Sequence, residues 1–386
     1  MDDDVVTLTQ ALIRCRSVTP ADEGALGVAA TALVEAGFAV EQPVFSAPGT
    51  PDVANLYGRI GRSGPCLVFA GHTDVVPPGD AAAWRHDPFG ATIEDGWLYG
   101  RGAVDMKGGV AAALAAARAF VAERGGEFGG SIAFLLTGDE EGPAVNGTVK
   151  LLEWAAERAE RFDVCVLGEP TNPTVLGEMA KIGRRGSLTG RLTVRGKQGH
   201  VAYPNLTRNP IPVLARMVAA LSDAPLDEGT QHFGASNLEW TTVDVGNPAT
   251  NVVPGEARAV FNIRFNDLWS PDTLAAAIRG RLERAAAGTP YDIAFDPTNS
   301  VAFLTEPSAF VTLVADAVEA ECDRRPELST TGGTSDARFI KSYCPVIEFG
   351  LVGETMHAVD ERVALEDLRR LARIYRGVLE RVFPKA

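Results

Sequence analysis

Short apolar runs that are followed at once by potential metal ligands restrict most strongly what this chain can fold into. Each run is continuous rather than alternating, which is typical of strands covered on both faces in an α/β sheet. The runs and the residues that follow them are 66–70 with His72 and Asp74, 131–137 with Glu140 and Glu141, 162–167 with Glu169, and 345–350 with His357. Sites in open α/β sheets collect beyond the carboxyl ends of strands, so we expect these side chains to converge.

Asp105 lies in a glycine-rich segment, 100–109, just before an alanine-rich helix predicted over 108–122. Alone, Asp105 fits a helix cap or a turn carboxylate. His72 alone fits a buried histidine, and Glu140 with Glu141 fits a solvated turn. Together these residues fit zinc, which takes His nitrogen and carboxylate oxygen. Two zinc ions about 3.5–4 Å apart need a bridging carboxylate, and a short Asp in a glycine-rich loop suits that position.

The pattern of the chain changes near Lys181. Alternating apolar and polar residues over 188–195, 238–245 and 257–265 predict strands with one solvated face. Helices are predicted over 209–221 and 270–287, and a short strand over 291–295. This order is typical of a β-α-β-β-α-β unit. We therefore predict an α/β domain, residues 1–180 and 295–386, interrupted by an inserted α+β (ferredoxin-like) domain, residues 181–294.

Charge and composition disfavour several classes of function. The 36 Lys and Arg residues against 50 Asp and Glu residues give a net charge of −14, which disfavours nucleic acid and anionic membranes as partners. No apolar run approaches the ~18 residues of a membrane span, and three Asp residues follow Met1, which is unlike a signal peptide. The five cysteines include no C-x-x-C pair, so we expect a reduced, cytoplasmic protein.

The motifs at 71–77, 100–108, 137–142 and 168–171 together resemble the di-zinc aminoacylase/carboxypeptidase metallopeptidase family, and the resemblance covers essentially the whole chain. The resemblance implies two Zn²⁺ ions per chain, with Co²⁺ as a substitute. His72 and Glu169 would hold the first ion, and Glu141 and His357 the second. Asp105 would bridge both.

The same resemblance implies roles for two further carboxylates. Asp74 would orient His72 and raise its basicity, as carboxylates commonly do for zinc-bound histidine. Glu140 would be the general base that takes a proton from the attacking water and then protonates the leaving amine. From the residues alone, either member of the Glu140-Glu141 pair could be the base.

The inserted domain resembles the lid and dimerisation domain of the family through motifs at 183–187, 198–204 and 249–254. The resemblance implies a homodimer in which His200 and Asn251 reach the site of the partner subunit, with His200 stabilising the developing oxyanion. Substrate-binding roles are implied for Arg184, Tyr203, Asn251, Arg264 and Thr334. Without the resemblance, Arg184 and Arg185 fit a solvated face, and Gly332-Gly333 fits a turn.

The implied substrate is a small N-succinyl amino acid with several carboxylates, which arginine binds well. Two alternatives stay open. The first is a related enzyme that removes another acyl group, such as acetyl from acetylornithine, because the metal residues are the same for either substrate. The second is a non-catalytic binding protein on this fold, although all ligands and the base are present. Gly353 departs from a pattern with Asn, so a substrate contact there would be missing or made by the main chain.

Overall fold

The computed structural model describes residues 1–385, which contain helices and strands along their whole length. The helices are α1 (Asp2–Arg14), α2 (Ala25–Glu35), α3 (Lys107–Arg124), α4 (Thr148–Glu157), α5 (Ile211–Ser222), α6 (Pro271–Ala286), α7 (Ala309–Cys322), α8 (Ala337–Ile340) and α9 (Leu365–Val382). Within this range, no helix is both long enough and apolar enough to cross a bilayer.

The strands fall into one large sheet and several smaller ones. They are β1 (Ala39–Glu41), β2 (Val44–Phe45), β3 (Val53–Ile60), β4 (Cys66–His72), β5 (Thr92–Glu94), β6 (Trp97–Tyr99), β7 (Ser131–Thr137), β8 (Val164–Leu167), β9 (Met179–Lys181), β10 (Gly183–Arg184), β11 (Gly186–Arg195), β12 (Gly199–His200), β13 (Asn237–Asp244), β14 (Val252–Val253), β15 (Glu256–Phe265), β16 (Tyr291–Phe295), β17 (Phe303–Leu304), β18 (Glu327–Ser329), β19 (Val346–Glu348) and β20 (Arg362–Ala364).

The chain divides into two compact units. The first unit comprises Met1–Ile182, Thr305–Ser329 and residues 335–385. The second unit comprises Gly183–Leu304 and Thr330–Thr334. The second unit therefore extends beyond the predicted boundary at residue 294. The reason is local pairing: β16 continues to Phe295 against β11, and β10 pairs with β17.

The first unit is built on a mixed sheet in the order β1-β3-β7-β4-β8-β19-β9-β18, with β2 also paired to β3. The central pairs β7–β4, β4–β8 and β8–β19 are parallel. Every residue of β4 and β7 is buried, as the continuous apolar runs predicted for strands covered on both faces. The predicted α/β class of this part of the chain is confirmed.

Helix α3 packs close to the sheet because its first turn contains Gly108 and Gly109. A Cβ on Gly109 would lie 2.3 Å from the carbonyl oxygen of Gly168, so only glycine allows this approach. Most of the alanines of α3 are buried. The close packing fixes the amino end of α3, and therefore the Asp105 segment before it, against the edge of the sheet.

The second unit is a four-stranded antiparallel sheet with two helices. Its strand order is β13-β15-β11-β16, and α5 and α6 follow β11 and β15 in the chain. This is the predicted β-α-β-β-α-β arrangement. The core includes Leu188, Met217, Phe261 and Ile278 from both layers. Helix α6 begins with a capping box between Ser270 and Thr273, with Pro271 in its first turn.

Candidate metal centre

The candidate ligands gather at the carboxyl ends of the parallel strands. His72 is the last residue of β4 and lies beside Thr137, the last residue of β7. The last residues of β8 and β19 are likewise paired, so these ends lie at one edge of the sheet. The residues just beyond β7 and β8 include Glu140, Glu141 and Glu169. Strand register thus brings together side chains that are widely separated in sequence.

Asp105 lies between two histidines. Its Oδ1 is 3.1 Å from Nε2 of His72, and its Oδ2 is 3.1 Å from Nε2 of His357. Nε2 of His357 is also 2.8 Å from Oε1 of Glu141, and Nε2 of His72 is 3.8 Å from Oε1 of Glu169. The two oxygens of one carboxylate thus face two different ligand pairs. This is the arrangement that a bridging ligand requires.

The donor set fits a pair of bound cations. The groups His72-Asp105-Glu169 and Asp105-Glu141-His357 each bring three candidate ligand atoms within 4.8 Å of one another. Oε1 of Glu169 is buried and has no hydrogen-bond partner among residues 1–385. An unpaired buried carboxylate oxygen is costly unless a cation or a donor satisfies it. Nitrogen and oxygen donors of this kind are those that zinc prefers.

The electrostatics of the centre also favour cations. Burial raises the pKa of Glu169 well above its ordinary value, and neighbouring carboxylates add to the effect. Burial lowers the pKa of His72, but the hydrogen bond to Asp105 and nearby negative charges outweigh it, so the pKa is well above its usual range. The hydrogen bonds to Asp105 and Glu141 raise the pKa of His357 to about 10. The site therefore holds an excess of negative charge that a bound cation would balance.

Asp74 contacts both the His72 ring and the main chain of Glu140 and Glu141. Nδ1 of His72 lies 2.9 Å from the main-chain oxygen of Asp74, whereas the Asp74 carboxylate is 3.6 Å from the same nitrogen. A carbonyl oxygen can only accept, so Nδ1 carries the proton and Nε2 is left as a ligand. The carboxylate instead accepts the main-chain N–H groups of Glu140 and Glu141, at 3.3 and 3.0 Å. The predicted orientation of His72 by the Asp74 side chain thus differs from the structure, because the main chain makes the closer bond.

Glu140 lies beside the ligands but has a distinct environment. Its carboxylate is within 4.8 Å of the ligand atoms of His72 and Glu141. Burial raises the pKa of Glu140 to about 8, and the carboxylate of Asp336 adds to this shift. Asp336 is itself buried and was not singled out in the sequence. The close contact of Glu141 with His357 distinguishes the two adjacent glutamates.

Two further buried residues touch the centre and were not predicted. Arg101 and Glu361 form an ion pair with a separation of 2.6 Å, and both are almost fully buried. Arg101 lies inside the glycine-rich motif at 100–109, in which only Asp105 was predicted to have a role. Glu361 follows His357 by four residues, and that spacing was the only signal in the sequence that could have pointed to it.

The second unit brings together His200 and Asn251. His200 pairs with Val252 between β12 and β14, and the N–H of Val201 donates to the Asn251 carbonyl at 3.0 Å. Nδ1 of His200 accepts the N–H of Ala202 at 3.1 Å, so Nε2 carries the proton of the neutral ring. The ring is exposed and therefore presents an N–H donor at the surface of its unit.

The other predicted substrate-binding residues also lie in the second unit. Nη1 of Arg184 donates to the carbonyl of Gly333 at 3.3 Å, which brings Arg184 beside the segment that carries Thr334. Arg264 lies on β15. The pKa of Arg185 is lowered by the burial of Arg185 itself and by the positive charge of Arg264. Tyr203 packs edge-on against His200, with ring centroids 5.7 Å apart. The structure therefore groups Arg184 with the Thr334 segment, and His200 with Tyr203 and Asn251.

Gly353 has room for a side chain but no free main-chain donor. Its N–H donates to the Asn172 carbonyl at 2.9 Å, and its carbonyl accepts the N–H of Met356 at 3.1 Å. A Cβ on Gly353 would meet Pro170 at an ordinary 3.7 Å. Of the two alternatives expected at Gly353, a missing substrate contact or one made by the main chain, the second cannot use the Gly353 N–H, which already donates to Asn172.

Comparison with known proteins identifies relatives over the whole chain. The model of peptidase family M20/M25/M40 matches residues 68–381. A succinyl-diaminopimelate desuccinylase of Methylobacterium nodulans is 69% identical over 380 residues, which are 98% of this chain and 96% of that relative. Another protein of that name, from Beijerinckia indica, is 59% identical over 384 residues and 100% of both chains.

Solved structures share the fold at low sequence identity. The aminopeptidase PepT of Bacillus cereus superposes with a TM-score of 0.79 at 19% identity, over 99% of both chains. An M20 family metallo-carboxypeptidase of Sulfolobus solfataricus gives a TM-score of 0.76 at 19% identity, over 100% of both chains. These matches confirm the fold class, with its mixed α/β content.

Proposed function

The chain belongs to peptidase family M20/M25/M40, a family of hydrolases, and on that premise we propose that it hydrolyses N-succinyl-LL-diaminopimelate to succinate and LL-diaminopimelate. The observation that carries the proposal is the 69% identity, over 98% of the chain, to a relative named for this reaction. The reaction belongs to diaminopimelate and lysine biosynthesis. The active centre is the cluster around Asp105.

The five candidate ligands would hold two zinc ions. His72 and Glu169 would bind the first, Glu141 and His357 the second, and Asp105 would bridge them. This assignment is supported by the two oxygens of Asp105, each 3.1 Å from a different histidine. Zinc bound there would lower the pKa of water towards ~7 and polarise the amide carbonyl. Cobalt would suit the same nitrogen and oxygen donors.

Glu140 would move the proton during hydrolysis. Its carboxylate would take a proton from the attacking water as the water oxygen bonds to the amide carbon. When the carbon–nitrogen bond breaks, Glu140 would give that proton to the leaving amine. Support comes from the Asp74 carboxylate, which accepts the Glu140 N–H at 3.3 Å and so holds the Glu140 main chain in place.

Recognition of the substrate would rest on arginines of the second unit. Arg184 and Arg264 would bind substrate carboxylates, with Thr334, Tyr203 and Asn251 completing the contacts. The position of Arg184 beside the Gly333 carbonyl supports this grouping, as does the concentration of positive charge around Arg185. Arginine suits the task because its planar fork binds carboxylates in a bidentate way.

A homodimer would form through the second unit, and His200 would act in the partner's site by donating its Nε2–H to the developing oxyanion. Strand β13 supports the dimer because it is an edge of its sheet and most of its residues are exposed. Edges of this kind favour pairing with another chain. Large apolar side chains exposed on the same unit include Val201, Tyr203, Leu206, Ile211 and Val243.

The proposed substrate is tested by changing only the acyl group. Rates are measured with N-succinyl- and N-acetyl-LL-diaminopimelate, which share one amine, and with N-acetylornithine. We expect kcat/KM to be about 10- to 100-fold higher for the succinyl compound, because it alone offers a carboxylate on the acyl side for a charged hydrogen bond. Preference for N-acetylornithine would contradict the proposal and favour an acetyl-specific enzyme.

A further inference from the structure

Of the five candidate ligands, His357 lies farthest along the chain from a helix or strand. It lies in the loop between β19 and β20, its side chain is 43% exposed, and its φ is +60°. A non-glycine residue in this left-handed region is strained. A histidine in such a loop can bind a cation tightly only if other contacts fix the loop.

Glu361 is joined to the bridging ligand through the main chain. Its Oε1 accepts the N–H of Val104 at 2.9 Å and the N–H of Asp105 at 3.2 Å. Its Oε2 accepts from Nη1 of Arg101 at 2.6 Å. Both carboxylate oxygens are thus used, and Glu361 is completely buried. The contacts fix the main chain at Asp105 to the far end of the His357 loop.

Arg101 is joined to the other ligand of the same pair. While Nη1 binds Glu361, Nη2 donates to the main-chain carbonyl of His357 at 3.3 Å. The guanidinium also lies 5.1 Å from the centre of the Trp84 ring, which limits its movement. One buried ion pair therefore contacts the main chain of both Asp105 and His357.

We propose that Arg101 and Glu361 are positioning residues that set the affinity of the second cation by fixing Asp105 and His357 relative to each other. The inference rests on the proposed metal function. His72, in contrast, ends a buried strand and is held by the Asp74 carbonyl. The first cation would therefore depend on the ion pair only through Asp105, and the second through two of its ligands.

The test is the zinc affinity of each site in the variant Arg101→Met/Glu361→Gln, measured by titration of metal-free protein without substrate. The double change keeps volume and leaves no unpaired buried charge, whereas removing one partner alone would leave the other buried charge without its counter-ion. We expect the second zinc to bind about 10- to 100-fold more weakly, which is the usual effect of losing a residue that holds a metal ligand in place. The affinity for the first zinc should stay within about threefold of the wild-type value.

The matched control is Arg59→Met/Glu160→Gln, which removes the partly buried ion pair between Arg59 of β3 and Glu160, away from the ligands. It should leave both zinc affinities unchanged. Arg101→Lys gives a second test that retains both charges: its single ammonium cannot reproduce the fork to Glu361 and His357, so the second zinc should again weaken. An unchanged second affinity in a folded variant, or equal weakening of both sites, would overturn the proposal. Because no substrate is used, failure here is distinct from failure of the proposed reaction.

Discussion

Replacing Glu140 with Gln is expected to reduce kcat by about 10²–10⁴, the usual loss when general acid–base help is removed. The amide has the same shape as the carboxylate but cannot accept the proton from water. KM should change little, because Glu140 would act mainly on the transition state. Zinc content should stay at the wild-type value, since Glu140 is not among the proposed ligands.

Glu141→Gln is the matched comparison because the two residues are adjacent. Its carboxylate is 2.8 Å from Nε2 of His357, so the neutral amide should weaken the second zinc. Added zinc should then restore part of the rate to Glu141→Gln and none to Glu140→Gln. If only the Glu140→Gln variant loses metal, while the Glu141→Gln variant retains activity, the two roles are reversed.

Mixing two inactive variants is expected to restore activity if His200 acts across the dimer. In a heterodimer of His200→Ala and Glu140→Gln, one site has both an intact Glu140 and a His200 from the partner. The other site has neither. Activity should therefore rise from almost nothing to at most about half that of a wild-type dimer. Steady-state rates are measured after subunit exchange has been demonstrated with labelled chains.

The control mixture replaces the second chain with the double variant His200→Ala/Glu140→Gln. No heterodimer in that mixture has a complete site, so its rate should stay at background. A flat result in the test mixture, with exchange demonstrated, would contradict the proposal that His200 acts across the dimer.

The parts of the fold that depend on local pattern could be predicted from the sequence. The continuous runs at 66–70 and 131–137 became the buried strands β4 and β7, and the alternating segment 257–265 became β15 with one buried face. Helix α6 was recognisable from Pro271 and its strong helical sequence. In each case, the pattern of apolar and polar residues within the strand or helix predicts which of its faces are buried.

Other elements were missed because their sequences mix signals. Strand β3 contains Asn55, Gly58 and Arg59, which weaken an apolar pattern. Helix α1 was missed although the three acidic residues of its first turn favour a helix start. The boundary near Leu304 depends on pairing between β10 and β17, which are distant in sequence. Such pairings are decided by tertiary packing rather than by local preference.

In the candidate site, too, contacts between residues distant in sequence could not be predicted. Motifs indicated the ligand types, but the contacts that orient them join distant residues. Arg101 and Glu361 are 260 positions apart, and neither was predicted to act on the centre. The Asp74 carboxylate was expected on His72, yet it accepts the N–H groups of Glu140 and Glu141. The sequence shows which ligand and base side chains are present, whereas the path of the backbone determines which atoms these side chains contact.

The most direct test of the central claim is zinc titration of chelator-treated protein, with bound metal and hydrolysis of N-succinyl-LL-diaminopimelate measured on the same samples. We expect no hydrolysis without metal, a rise to full rate at two zinc ions per chain, and about one bound ion in His357→Ala. His86→Ala is the control, because His86 contacts Glu94 and lies outside the candidate ligand groups found in residues 1–385. Full hydrolysis by metal-free protein, or two ions retained in His357→Ala, would contradict the account.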